Sequence, residues 1–269
     1  MKAIGFNQGQ YGDLCMNLIA CRAFREQHPF DSLTFGINKK YADLEPVFRY
    51  NDLFNDIHIW DAYDNWPSQK DIEYLEQSRF DKVFNPMPKH IRQDWYLHYH
   101  QTEAVCLMHG LTPPKDLQIG LCHHFEPKRN KGVVAVNMFA ATHSSAPKVP
   151  DRNKAKEYCE LIFKMGYTPV QIGLYSDPII CDKKFFGTFF DTVKFALSCD
   201  FVFTVDSAMA WIMSGYVHNV LGIYNYKYYI GATTAKNWQP INPNAKYVES
   251  DNINIENDII EESIRDLLV

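Results

Sequence analysis

Signatures of several large protein classes are missing from this sequence. None of the seven cysteines belongs to a C-x-x-C pair, which argues against a zinc ribbon or a thioredoxin-like site. The net charge of -5 and the pI of about 6.0 argue against a nucleic-acid binder, which needs a concentrated basic face. No apolar run approaches the ~20 residues of a membrane span, and the opening sequence MKAIGFNQGQ has no signal-peptide core. Because an odd, scattered set of cysteines fits a reducing compartment, we expect a soluble cytoplasmic protein without a transmembrane segment.

Motifs for phosphate loops, dinucleotides and metals are missing as well. The segment GFNQGQYGD at residues 5–13 lacks the G-x-G-x-x-G spacing of the dinucleotide fingerprint, and no G-K-S/T phosphate loop occurs. A strict D-x-D, common in metal–nucleotide sites, is not found. The close histidine pairs are His98 with His100 and His123 with His124, and neither spacing puts two ligands on one helix face. We therefore expect no metal and no cofactor.

The chain does contain a regular alternation of strand-like and helix-like segments. Strands are predicted at residues 2–7, 32–38, 56–60, 82–85, 132–139, 168–174, 201–205 and 219–225. Helices are predicted from Asp13, after Ser207, and at residues 42–50, 67–78, 94–108, 152–165, 188–199 and 255–268, with a long loop at 226–243. This alternation predicts an α/β protein in which helices cover the faces of parallel sheets.

The alternation is interrupted once, in the polar segment GLCHHFEPKRNKG at residues 120–132. We place a domain boundary there, between residues 1–125 and residues 126–269. Two α/β halves of similar size predict a cleft between them, which is a favoured place for a ligand.

The stretch Phe201 to Tyr216 organises the second half. An apolar strand, FVFTV, is followed by Asp206 and Ser207 and then by an apolar helix. Either polar residue could cap the first N–H groups of that helix. A strand, a small polar turn and a helix also form an anion site, because the N–H groups and the helix dipole favour negative charge. The pattern alone does not separate such a site from an ordinary capped helix.

Three charged residues stand at comparable places and have equally open interpretations. Lys148 follows a predicted strand and could meet a phosphate, or it could be solvated. Asp177 follows another strand and could accept a ribose hydroxyl, or cap a turn before Pro178. Asp13 could cap the first helix, or act there as a base that the helix dipole keeps ionised.

Together these segments resemble the lipopolysaccharide heptosyltransferase family of glycosyltransferases, over nearly the whole chain. The opening strand with Gly12-Asp13-Leu14, the segment SLTFGINKKYADLEPVF and the pair Gly110-Leu111 are similar to the family's first half. The strongest match is GTFFDTVKFALSCDFVFTVDSAMAWIMSGYVHNVLGIYNY. The resemblance implies a GT-B fold, with two Rossmann-like domains facing across a cleft. It further implies an acceptor on the N-terminal domain, a nucleoside-diphosphate sugar on the C-terminal domain, and no metal.

On the acceptor side, the resemblance places the family's acidic catalytic residue on Asp13. The loop before it is formed by Gly9, Gln10, Tyr11 and Gly12.

On the donor side, the resemblance places the diphosphate-binding turn on Asp206, Ser207, Ala208 and Met209. The family's loop lysine falls on Lys148 and its ribose-binding acidic position on Asp177. The chain departs from the family pattern where Ala208 replaces a glycine and Trp211 replaces a histidine.

The sequence thus predicts an inverting, metal-independent glycosyltransferase that moves a sugar from a nucleoside diphosphate to an acceptor hydroxyl. Two alternatives stay open at this point, since fold does not fix function. One is a non-catalytic nucleotide- or sugar-binding module of the same fold, and the other is a nucleotide-sugar epimerase.

Overall fold

The computed structural model describes residues 2–6, 11–49, 51–60, 80–84, 98–121, 127–139, 148–228, 232 and 234–269. Contacts divide the chain into two compact units, Met1–His124 and Phe125–Val269. Each unit is built on a parallel sheet flanked by helices. The predicted α/β class with parallel sheets is therefore confirmed, while the acceptor and donor roles of the two halves stay predictions.

The first unit contains, in its described part, one sheet of four parallel strands in the order β3-β2-β1-β4. The strands are β1 (Lys2–Phe6), β2 (Ser32–Asn38), β3 (Asp56–Trp60) and β4 (Lys82–Phe84). The helices are α1 (Tyr11–Gln27), α2 (Glu45–Arg49) and α3 (Gln101–Met108), and a 3-10 helix (Lys39–Leu44) precedes α2. The apolar residues Leu18, Cys21 and Phe24 of α1 are fully buried.

The second unit contains a parallel sheet in the order β6-β5-β7-β8-β9. The strands are β5 (Val133–Asn137), β6 (Thr168–Gln171), β7 (Phe201–Val205), β8 (Val220–Asn225) and β9 (Ala245–Ser250). The helices are α4 (Arg152–Lys164), α5 (Phe189–Ser198), α6 (Ala208–Gly215) and α7 (Asn257–Leu267). Short 3-10 turns follow β8, at Tyr226–Tyr228 and Lys236–Trp238.

The two faces of this second sheet differ in what covers them. Val136, Phe203 and Ile223 pack in one core cluster with side chains of α4 and α7. Because successive side chains of a strand point to opposite faces, their neighbours Asn137, Thr204 and Tyr224 belong to the other face. Helix α6 contacts β7 and β8, and its Ser214 Oγ lies 3.1 Å from the Tyr247 hydroxyl of β9.

Several predicted boundaries were wrong for local reasons. The strand predicted to reach residue 174 ends at Gln171, two residues before Gly173, whose φ of 141° is suited to glycine. The helix predicted at 42–50 begins earlier, as a 3-10 helix at Lys39, because the Asn38 Oδ1 accepts a hydrogen bond from Lys40 N. Strand β9 was not predicted, since its half-exposed residues AKYVES lack a clear apolar alternation. The predicted helix at 67–78 and the start of the one at 94–108 lie outside the described residues.

Two further features bear on the sequence-based expectations. The described cysteines are all buried and free of disulfides, as small core residues are. No helix in the described part of the chain has both the length and the apolar character that crossing a bilayer requires.

Candidate functional site

The strand order locates one point in each sheet where ligands are favoured. In an open parallel sheet, ligands bind outside the carboxyl ends of the strands where the order reverses. In the second unit, the chain moves from β5 outward to β6 and then returns to β7 on the other side of β5. The switch point therefore lies between the ends of β5 and β7. In the first unit it lies at the end of β1, between β1 and β4.

The N-cap residue of α6, in the turn after β7, does not cap the helix with its side chain. Ser207 is the N-cap residue, with an extended backbone, yet its side chain makes no capping hydrogen bond. Its Oγ instead lies 2.9 Å from the Thr204 Oγ1, which donates to the carbonyl of Val205 at 3.0 Å. The interpretation that the Ser207 side chain caps this helix is therefore wrong. The Ser207 side chain thus does not occupy the first N–H groups of α6, where the helix dipole favours an anion.

Lys148 and Asp206, which are 58 positions apart in sequence, meet at this turn. The Lys148 ammonium donates to the Asp206 carboxylate in a close ion pair, and both side chains are largely buried, at 18% and 14% exposed. The same Nζ lies 4.2 Å from the centre of the Tyr228 ring. The lysine predicted to meet a phosphate is thus placed beside the predicted diphosphate turn, with a carboxylate balancing its charge.

Two buried polar atoms on the α6 side of the sheet have no hydrogen-bond partner among the described residues. They are the Asn137 Oδ1, at the end of β5, and the Tyr224 hydroxyl, at the end of β8. Burial raises the pKa of Tyr224 well above its usual range, and the charges of Asp206 and Tyr247 raise it further. The phenol therefore stays protonated and able to donate at any physiological pH.

Asp177 forms hydrogen bonds within its own loop. Its Oδ2 accepts a hydrogen bond from Leu174 N at 2.7 Å, and a Cβ added to Gly173 would lie only 2.3 Å from that oxygen. Lys184 stabilises the same loop by donating to the carbonyls of Leu174 at 2.9 Å and Asp177 at 3.2 Å. Burial raises the pKa of Asp177, against the opposing effects of the Leu174 hydrogen bond and the Lys184 charge. These contacts match the interpretation that Asp177 stabilises a turn. Ribose binding by Asp177 stays a prediction.

Two side chains near the start of α6 are buried and offer little surface to a ligand. Met209 is 2% exposed and Trp211 is 3% exposed, so both pack under α6. Met209 can therefore serve an anion only through its backbone N–H. Trp211, which stands where the resembling family has a histidine, is a core residue here.

The described residues of the predicted acceptor-side segment lie at the start of α1, beside the switch point of the first sheet. Helix α1 begins at Tyr11, so the prediction that it begins at Asp13 was two residues late. Tyr11 and Gly12 belong to the helix instead of the preceding loop, whereas Gly9 and Gln10 lie outside the described residues. Asp13 is the third residue of α1, within the turn where the helix dipole stabilises a carboxylate. Its role as a base stays a prediction.

Sequence reasoning missed Asn137, Tyr224 and Tyr228 as neighbours of the predicted donor turn. The sequence contained one usable signal, the alternating tyrosines in IYNYKYY, which starts within a predicted strand and runs beyond its end. Within the described ranges, no three His, Cys, Asp or Glu side chains are grouped closely enough to hold a metal ion.

Comparison with known proteins identifies the fold through structure alone. No protein-family model matches the chain, and no curated protein matches its sequence. Solved structures of glycosyltransferases do match over almost the whole chain. Two α/β units on parallel sheets, each with a switch point at its carboxyl edge, define a GT-B-like fold.

Three solved structures illustrate this likeness. A family 9 glycosyl transferase from Veillonella parvula is 12% identical, with a TM-score of 0.70 over 99% of this chain and 97% of that chain. The E. coli ADP-heptose LPS heptosyltransferase II is 11% identical, with a TM-score of 0.70 over 100% and 98%. An E. coli heptosyltransferase solved with ADP-2-deoxy-2-fluoro heptose is 9% identical, with a TM-score of 0.70 over 99% of each chain. The resemblance noted in the sequence is therefore confirmed for the fold.

Proposed function

We propose that this protein is a glycosyltransferase whose donor is a nucleoside-diphosphate sugar. The observation that carries the proposal is the position of Lys148 at the start of α6, beside Asp206 and at the switch point of the second sheet. The fold supports it, since structures with the same fold are glycosyltransferases and one of them was solved with a nucleotide-sugar analogue.

The donor diphosphate accepts hydrogen bonds from the first N–H groups of α6, including that of Met209, and pairs with Lys148. Both groups stabilise the negative charge that develops on the departing diphosphate. Because a fixed cation and a helix N-terminus already supply positive charge, the reaction needs no divalent metal. Asp206 holds Lys148 in place and limits the net charge of the empty site.

In the acceptor half of the reaction, Asp13 takes the proton from an acceptor hydroxyl while that oxygen attacks the anomeric carbon. A new C–O bond forms as the bond to the diphosphate breaks, and the leaving group carries away the electron pair. Attack from the face opposite the leaving group inverts the anomeric configuration. The Asp177 carboxylate accepts a hydrogen bond from a ribose hydroxyl of the donor.

A non-catalytic binding module of the same fold is the second candidate. It is favoured by Trp211, because the buried indole replaces a histidine of the resembling family and offers no group to a ligand. Turnover of a nucleotide-sugar with an acceptor separates this candidate from the proposed enzyme.

The proposal is tested by calorimetric binding of ADP, GDP, UDP, CDP and their sugar conjugates, with and without EDTA. We expect one nucleotide series to bind equally well in EDTA. Lys148→Ala should weaken that binding by about 1.5–3 kcal/mol, the usual value for a hydrogen bond to a charged group. Lys246→Ala is the matched control, because Lys246 also forms an ion pair in this unit, with Asp266 at 2.8 Å. Binding that requires metal, or that is insensitive to Lys148, would contradict the proposal.

A further inference from the structure

The Asp206 carboxylate and the Tyr228 ring differ in chemistry, and the Lys148 ammonium lies close to both. Its distance from the centre of the Tyr228 ring is 4.2 Å. A lysine stem has four rotatable bonds, so its backbone does not fix where the ammonium lies. The position of the ammonium therefore depends on how strongly its neighbours attract it.

Tyr228 is itself well fixed. It ends the 3-10 turn Tyr226–Tyr228, which directly follows β8 and is capped by the Asn225 Oδ1, an acceptor for Lys227 N at 3.0 Å. Its ring packs in a cluster around the buried Tyr224 and Ala235, together with Trp238 and Tyr247. A ring held by a capped turn and by aromatic packing offers a constant face to the Lys148 ammonium.

The two neighbours act differently on an incoming anion. A carboxylate beside the turn adds a negative charge that opposes a diphosphate. The face of an aromatic ring attracts an ammonium through its quadrupole and adds no net charge. A ring can thus localise the cation without weakening the attraction between the cation and a phosphate.

From these contacts we infer that Tyr228 is a positioning residue for Lys148, holding its ammonium over the ring and beside the first turn of α6. The inference rests on the proposed function for its consequence, which is that Tyr228 strengthens binding of the donor diphosphate through Lys148. The phenol hydroxyl has no part in this effect, so the ring alone is required.

The first test measures binding of ADP, GDP, UDP and CDP to Tyr228 variants. Tyr228→Leu should weaken the nucleotide that binds wild type best by roughly 3- to 30-fold, the range of a cation–π contact, and Tyr228→Phe should restore most of the affinity. In a Lys148→Ala background, Tyr228→Leu should cause no further loss. Tyr226→Leu is the matched control, because Tyr226 lies in the same turn and cluster, whereas the ring that the Lys148 ammonium faces is that of Tyr228. Equal losses in the Tyr226 and Tyr228 variants, or additive losses with Lys148→Ala, would overturn the inference.

The second test needs no nucleotide. Lysines are methylated reductively with 13C-formaldehyde, and the Lys148 signal is assigned by its disappearance in Lys148→Arg. The ring current of Tyr228 should shift this signal upfield in wild type and in Tyr228→Phe, but not in Tyr228→Leu. An unchanged signal in Tyr228→Leu would overturn the inference. If the ring-current shift is seen but Lys148→Ala leaves nucleotide binding intact, the positioning stands and the proposed donor site is wrong.

Discussion

Asp13 is the residue on which the proposed chemistry depends most. Asp13→Asn should keep the shape of the side chain and lose only the favourable interaction of its charge with the helix dipole, about 0.3–1 kcal/mol. Stability and nucleotide binding should change little, whereas transfer should fall by roughly 10²–10⁴-fold, the usual effect of a positioned general base. The measurement is product formation per enzyme, beside urea unfolding of the same variant.

The control for this variant is Asp52→Asn, which changes an exposed aspartate of the same unit. It should transfer sugar at the wild-type rate. Full transfer activity in Asp13→Asn would show that the base is another group.

Asp116 illustrates at residue scale how a local ion pair makes stability depend on pH. Arg22 of α1 donates to its carboxylate at 2.8 Å and 3.1 Å, and also to the carbonyl of Gln118 at 2.7 Å. Burial alone would raise the pKa of Asp116, but the Arg22 hydrogen bond and charge outweigh it and lower the pKa. A carboxyl with a lowered pKa stabilises the fold above its unfolded pKa and loses that contribution as pH falls through its folded pKa.

We therefore expect Asp116→Asn to destabilise the protein near neutral pH and to approach wild-type stability in acid. The Asp116 side chain is 45% exposed, so solvent screening limits the effect to about 0.5–1 kcal/mol. Urea unfolding of both proteins at a series of pH values measures it. A difference in unfolding free energy that stays constant from neutral pH down to below ~3.8 would contradict the assignment.

At the scale of elements, strand β9 anchors the loop that carries the aromatic cluster. Glu249 accepts hydrogen bonds from the Ala235 amide at 2.9 Å and the Gln239 side chain at 2.7 Å, and Thr234 Oγ1 donates to it as well. Three donors on one carboxylate hold the loop to the edge of the sheet. This explains why a half-exposed, charged strand matters for the site next to it.

Glu249→Gln should loosen this loop, because the amide of glutamine has one acceptor oxygen and a donor group that faces other donors. We expect a local loss of about 1–3 kcal/mol. Hydrogen exchange should show it as faster exchange at the Ala235 amide with little change in β7. Lys246→Ala, on the same strand, is the control and should leave that amide protected.

At the scale of the whole molecule, two compact units with separate cores predict two unfolding transitions in scanning calorimetry. Ile37 and Ile223 each lie in a buried strand of one unit. Ile37→Val and Ile223→Val should each lower the midpoint of one transition, at a cost of about 0.5–1.5 kcal/mol, and so assign each transition to its unit.

A nucleoside diphosphate at 100 times its Kd should then stabilise the second unit by roughly 2.7 kcal/mol. Stabilisation of the first unit alone would place the donor on the other half of the chain.

The sequence by itself determined the α/β class, most of the strands and the polar turn after β7. These features follow from local rules: buried parallel strands need continuous apolar runs, and a strand-to-helix turn needs small polar residues. Edge strand β9 was not predicted from the sequence, because an exposed edge does not require apolar residues on both faces. The end of β6 was misplaced because the conformation of Gly173 cannot be read from its neighbours.

Only the tertiary structure decided which distant residues meet at the turn after β7. The pairing of Lys148 with Asp206 and the Tyr228 ring depends on β5, β7 and β8 lying side by side, and strand order is not encoded in any local pattern. The same holds for Trp211, since a tryptophan after a helix start could face solvent or the core. Its burial followed from the packing of α6 on the sheet, which the amino-acid order alone did not show.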